Sequence, residues 1–193
     1  MSCKLPPEIL EYIELVESDS PRACPEQHAL VAHIRKCFET EDLKVDLNQL
    51  EKYMGLQKYF SFDLFPWQKF LIGLWDCTYT ADGMPRWDTV FGMVARGAGK
   101  DGLIAYDSAC SISPYCESAR YDVDICANDE EQATRPVKDL LEVLESPKWE
   151  SKLNKHYYHT KELAQGRRNK GCMKGRTNNP KGRDGMRSGI IVF

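Results

Sequence analysis

The fold turns on the stretch WDTVFGMVARGAGKDGLIAYDSAC, residues 87–110. Its first part, Trp87 to Ala95, is a short apolar run rich in strand formers, and it predicts a β-strand. Gly97, Gly99 and Gly102 follow, and Leu103 to Cys110 then read as a helix. Glycine at such a junction lets the backbone turn tightly and bring N–H groups up to an anion without interference from a Cβ. The helix aims its positive dipole end at the same place, and Lys100 adds a full charge that can reach terminal phosphates. This is phosphate-cradle chemistry. The strict string G-x-x-x-x-G-K-[ST] is not met, because Val94 stands at its first glycine and Asp101 at its Ser/Thr position. A hydroxyl there normally contacts Mg²⁺ without adding charge. Asp101 instead puts a carboxylate beside the phosphates. It can ligate the metal, directly or through water, or weaken nucleotide binding. A glycine turn with a surface lysine is the plain alternative.

Upstream, the pattern is helical. Residues 7–17 carry Ile9, Leu10, Ile13 and Val16 at helical spacing after two prolines. SDSPRACP reads as a turn, and a second helix over 26–39 places Leu30, Ile34 and Phe38 on one stripe. A third, over 46–58, opens with Asp46 as its cap. Pro66 breaks the backbone, after which Trp67, Phe70, Leu71 and Leu74 resume helical spacing. Downstream, Tyr121 to Ala127 predicts a strand, and Asp129 caps a helix over 130–145 that contains Pro136. Residues 146–188 predict short strands with long loops, and SGIIVF predicts a last strand. Strand, glycine turn, helix, strand, helix, strand is an α/β alternation. It predicts a parallel sheet flanked by helices, preceded by an all-helical N-terminal extension. The expected division is 1–60 for the extension and 61–193 for the α/β part.

Length and composition agree with that size. The 193 residues are 42% hydrophobic and 28% charged, a globular composition. No stretch approaches the ~18 consecutive apolar residues of a membrane span, and the start MSCKLPPEIL lacks the basic and apolar regions of a secretory signal. The net charge of -3 hides a polarised chain. Residues 146–193 hold 12 Lys and Arg against 3 acids, whereas the first 145 hold 14 basic and 26 acidic side chains. Such asymmetry points to an anionic partner for the basic end, or to a tail folded against an acidic body. Arg167, Arg168, Lys170, Lys174 and Arg176 form its dense patch. DNA backbone binding needs such charge and no particular sequence; a solvated loop is the competing reading.

Eight cysteines with no C-x-x-C pair predict free, mostly buried thiols in a reducing cytoplasm. Cys24, His28, His33 and Cys37 have zinc-type chemistry, but on one helix His28 and Cys37 lie roughly 13 Å apart along the axis, too far for one tetrahedral ion. His156 and His159 flank Tyr157 and Tyr158 and are assigned to structure.

Four segments in order carry a family resemblance. They are Phe65-Pro66-Trp67-Gln68; Val94-Ala95-Arg96-Gly97-Ala98-Gly99-Lys100; Ile125-Cys126-Ala127-Asn128 with Glu131-Gln132-Ala133; and residues 179–193, NPKGRDGMRSGIIVF. Together they resemble the large terminase subunit of tailed bacteriophages. The resemblance implies an additional-strand P-loop ATPase followed by a ribonuclease-H-like nuclease, a motor that hydrolyses ATP to package viral double-stranded DNA into the procapsid. It implies ATP and Mg²⁺ as cofactors. Double-stranded DNA, the terminase small subunit, the portal protein and further copies of the chain are the implied partners, in the bacterial cytoplasm.

On that resemblance Gln68 reads adenine and Trp67 packs on the base or serves the core. Arg96 stabilises the γ-phosphate, and Lys100 is the Walker lysine. Gly97, Ala98, Gly99, Asp101 and Gly102 complete the nucleotide loop, and Asp101 is the metal candidate. The family's Asp-Glu pair, which holds Mg²⁺ and orients the attacking water, is expected just past Phe193. The 193-residue chain alone is therefore expected to bind nucleotide with background hydrolysis. The alternative is a catalytically inactive prophage remnant with a basic DNA-binding tail. A small kinase or a helicase fits less well, the first because of Gln68 and the 179–193 segment.

Overall fold

Proline opens both long N-terminal helices. Helix α1 (Pro7–Glu17) and helix α2 (Pro25–Thr40) each begin on a proline, whose fixed φ suits the first turn and whose missing N–H has no intrahelical acceptor there. The computed structural model describes residues 5–19, 21–177 and 188–193. Most of the 179–193 motif, and Cys3, therefore lie outside the described residues. Helix α3 (Leu47–Met54) is capped as expected, the Asp46 carboxylate accepting from the Gln49 N–H at 2.9 Å. Helix α4 (Pro66–Trp75) follows. Strands β1 (Lys44–Val45) and β2 (Thr78–Tyr79) pair antiparallel.

These elements make the first of two compact units, comprising the described residues up to Gln57 together with Phe62–Met93. Its core joins Ile9, Ile13 and Val16 of α1 to Val31, Ile34 and Phe38 of α2 and to Phe70 and Leu74 of α4. The Tyr12 and Phe70 rings lie 4.7 Å apart. The stripe of α2 is rotated from the expected one: Val31 and Cys37 are buried, while Leu30 is 39% exposed.

The second unit comprises Lys58–Ser61 and the described residues from Val94 onward. Packing divides the chain between Met93 and Val94, with Lys58–Ser61 joining the second unit; the expected division into 1–60 and 61–193 is one of helical extension and α/β pattern. Helix α5 (Lys100–Ser111), strand β3 (Asp122–Ala127) and helix α6 (Glu130–Leu144) succeed one another. A short helix α7 (Glu150–Leu153) and strands β4 (Tyr157–His159), β5 (Leu163–Gly166), β6 (Cys172–Thr177) and β7 (Ser188–Val192) follow. The sheet order is β4-β5-β6-β3-β7. The three strands β6, β3 and β7 are parallel, and β4 and β5 add antiparallel pairs. The sheet is therefore mixed rather than purely parallel. The reason is local: β4 to β6 are joined by short turns, which can only reverse the chain.

Helix α6 packs its buried Ala133, Val137, Leu140 and Leu144 face on this sheet. It lies so close to β6 that a Cβ on Gly175 would sit 2.6 Å from the Ala133 carbonyl oxygen. Pro136 is accommodated inside α6, buried.

One expectation is overturned. Residues 87–95 form no strand; they join no ladder, and Phe91 and Met93 are 90% and 88% exposed. Strand propensity measures fit to a half-buried pleated surface, and this segment is instead exposed and pairs with no strand among the described residues. Among the described residues no helix is long and apolar enough to cross a membrane.

Candidate functional site

The glycine turn builds a helix N-terminus with unanswered donors. Gly97 and Gly99 have φ of 82° and 86°, in the left-handed region, and Gly99 is the N-cap of α5. Only glycine enters that region without strain, so the chain can reverse here and start a helix at once. Leu103 N–H bonds back to Gly99 O at 3.0 Å. The N–H groups of Lys100, Asp101 and Gly102 have no acceptor among the described residues, as the first turn of a helix without a side-chain cap requires. A Cβ at Gly97 would meet nothing within 4 Å, so the space before the turn is open.

One ion pair, from Asp101 to Arg135, ties this turn to α6 within the second unit. Lys100 Nζ lies 2.6 Å from Asp101 Oδ1. Arg135 Nη1 lies 3.9 Å from Asp101 Oδ2 and Arg135 Nη2 3.7 Å from Glu131. Arg135 belongs to the second turn of α6, the helix that leaves the carboxyl end of β3. The turn therefore sits at the carboxyl ends of the parallel strands, where open α/β sheets receive their ligands.

The electrostatics there are mixed. Burial pushes the Asp139 carboxyl above the usual range, and Glu142 and Asp101 push it further. Open amides, Lys100 and Arg135 favour an anion, while Asp101 and Asp139 oppose one. A triphosphate fits the donors. Asp101 is the carboxylate of this turn that could hold a divalent cation, an ion that takes oxygen ligands. Arg96 is exposed and makes no ion pair among the described residues. Arg135 had no sequence signal; only the fold brings it to Asp101.

Gln68 and Trp67 belong to the first unit. Gln68 is 2% exposed, and its Oε1 accepts from the Phe65 N–H at 2.8 Å, the reciprocal half of a capping box for α4. Trp67 is partly buried against the α1–α2–α4 core.

The five basic residues of the dense patch fall into two places. Arg167, Arg168 and Lys170 occupy the exposed turn between β5 and β6. Lys174 and Arg176 lie within β6, and Arg176 donates to the buried Asp124 of β3.

Cys37 Sγ lies 3.5 Å from His33 Nε2, and among the described residues no group of three or more His, Cys, Asp or Glu could hold a metal ion. The seven described cysteines are free, and five are buried.

No family model and no curated protein matches the sequence. Among solved structures the chain is similar to the large terminase of bacteriophage HK97, with a TM-score of 0.60 over 77% of this chain at 17% identity. At that identity the likeness is one of fold, and it agrees with the motif resemblance in the sequence. The chain spans 30% of the length of that terminase chain.

Proposed function

We propose that this chain is the ATP-binding portion of a terminase-type motor that uses ATP to package double-stranded DNA. The observation that carries the proposal is the left-handed Gly99 at the start of α5, with Lys100 beside it and three open amides, at the carboxyl end of parallel strands in a terminase-like fold.

In this reading the amides of Lys100, Asp101 and Gly102 cradle phosphate oxygens. Lys100 leaves Asp101 to meet the terminal phosphates, and Arg96 supplies a charge that cannot be neutralised at neutral pH. Asp101 would hold Mg²⁺, which would supply charge to offset that of the phosphates. Gln68 and Trp67 serve the adenine, a role that requires Gln68 to share or leave its helix cap. DNA meets the basic C-terminal region. The terminase small subunit, the portal protein and further copies of the chain are the proposed partners.

The test is calorimetric titration of a non-hydrolysable ATP analogue with Mg²⁺ into the wild type and Lys100→Ala. Circular dichroism confirms that both are folded. The expected result is at least about a tenfold loss of affinity, in line with a hydrogen-bonded charge contact of roughly 1.5–3 kcal/mol. Equal affinities would overturn the proposal.

A further inference from the structure

A second surface of the same unit carries unneutralised positive charge on an aromatic support. Trp149 meets Tyr59 edge-on, with ring centroids 5.2 Å apart at 87°. Lys148 Nζ and Lys152 Nζ lie 4.6 and 5.2 Å from the Trp149 ring centroid, and Lys58 Nζ lies 5.0 Å from that of Tyr59.

The β5–β6 turn is pinned beside this cluster. Arg167 N–H donates to His156 O at 2.8 Å, and its Nε reaches Asn154 O at 2.7 Å and Tyr157 O at 3.0 Å. Its guanidinium lies 5.9 Å from the Tyr158 ring. Arg168 donates to Pro114 O at 2.6 Å, and Lys170 holds a left-handed φ of 62°. The chain from Lys148 to Lys155 and the turn from Arg167 to Lys170 are therefore one continuous surface.

Lys148, Lys152, Lys155, Arg167, Arg168 and Lys170 are all exposed there, and none is ion-paired among the described residues. Arg35, Lys69, Arg86, Arg135 and Arg176, in contrast, each face a carboxylate. The two stretches contain a single acid, Glu150. Lysines laid on a ring, and an arginine tied to carbonyls, have already lost part of their rotamer freedom, so docking them on phosphates costs less entropy. A row of fixed cations suits a regularly charged polyanion, and the phosphodiester backbone carries about one charge per 1.7 Å of duplex axis.

We infer that this platform is a docking surface for the backbone of double-stranded DNA, bound without sequence readout. It rests on the proposed function only for the choice of polyanion. Arg176 does not belong to it, its charge being already held by Asp124.

The test is fluorescence anisotropy with a labelled duplex of arbitrary sequence, across a salt series. It compares the full chain with the triple variant Lys148→Ala/Lys152→Ala/Lys155→Ala. A control, Lys36→Ala/Lys44→Ala/Lys52→Ala, removes the same charge from exposed positions of the first unit. The platform variant should lose at least about tenfold in affinity and about 2–3 units of salt slope, near 0.9 per phosphate contact; the control should lose little. No binding by the wild type, equal losses in the two variants, or displacement of DNA by polyglutamate as effective as by unlabelled duplex would each overturn the inference. ATP-analogue titrations of the same samples separate the two readings. Absent nucleotide binding with the DNA contrast intact removes the proposed function and leaves the platform standing.

Discussion

The guanidinium of Arg176 on β6 donates to the carboxylate of Asp124 on the neighbouring strand β3, and Ser188 of β7 donates to its other oxygen. One side chain thus ties the three parallel strands together. Asp124 is 3% exposed, so its charge depends on these two partners. Removing one partner of a buried pair costs about 3–5 kcal/mol, because a charge is left uncompensated. The Arg176 side chain is 32% exposed; solvent screening puts Arg176→Ala at the low end, about 3 kcal/mol. Urea unfolding measures the loss. Asp124→Asn in the same background should recover most of it, since the amide needs no counter-charge. An Arg176→Ala midpoint equal to that of the wild type would show that the pair does not support the sheet.

Sequence pattern revealed the helices and strands whose partners are local or whose pattern is long. Asp46 and Asp129 cap the helices they were expected to cap, because a cap is a contact within four residues. Strand β3 was legible because its run is buried on both sides. Residues 87–95 misled for the converse reason: Val90, Phe91 and Val94 have strand propensity, but pairing is decided by another strand. Likewise Leu30 and Val31 differ by one position on α2, and only the packing of α1 chooses between them. At the candidate site, the glycines and Lys100 were legible because left-handed φ and charge are properties of single residues. The Asp101–Arg135 contact and the burial of Asp124 were not, since each joins segments separated by 34 and 52 positions respectively.

Three glycines provide a graded test of the packing. A Cβ at Gly175 would strike the Ala133 carbonyl of α6 at 2.6 Å, and backbone atoms cannot rotate away. Gly175→Ala should cost about 3 kcal/mol, the upper range for overpacking. Gly97 has open space but a φ of 82°, so Gly97→Ala should cost about 1–2 kcal/mol from backbone strain alone. Gly92 has neither constraint, and its alanine variant should stay within about 0.5 kcal/mol. Chemical denaturation of the three variants should return that order. A Gly175→Ala protein as stable as Gly92→Ala would mean that α6 does not press on β6.

Gln68 permits its two roles to be measured apart. Its Oε1 holds the Phe65 N–H at the start of α4, and losing a cap contact of this type costs about 1 kcal/mol. Gln68→Ala should therefore lower the unfolding free energy by about 1 kcal/mol whatever the ligand. Under the proposed function it should also erase any preference for ATP over GTP, because an amide that can donate and accept is what distinguishes the two base edges. Lost stability with purine preference retained would confine Gln68 to the helix cap.

Asp139 reports on the contact between α5 and α6 through its titration. Burial raises its carboxyl above the usual range, Glu142 and Asp101 raise it further, and Arg135 lowers it. The folded state then holds the proton more tightly than the unfolded chain. The stabilisation is complete below the ordinary aspartate value and is lost as pH rises through the raised folded value. Asp139→Asn should flatten stability across that acidic window. Asp101→Asn should bring the Asp139 titration down by removing a nearby negative charge, and Arg135→Ala should move it up. Carbon chemical shifts of the Asp139 carboxyl, followed from acid to neutral pH, measure all three proteins. Asp101→Asn carries a second readout, because it also releases Lys100 and removes repulsion toward phosphate. Without Mg²⁺ it should therefore bind the ATP analogue several-fold more tightly, about 1 kcal/mol for an exposed pair. If the Asp139 titration ignored both substitutions, the glycine turn would not lie beside α6, and the site at the carboxyl end of the sheet would lose its geometric basis.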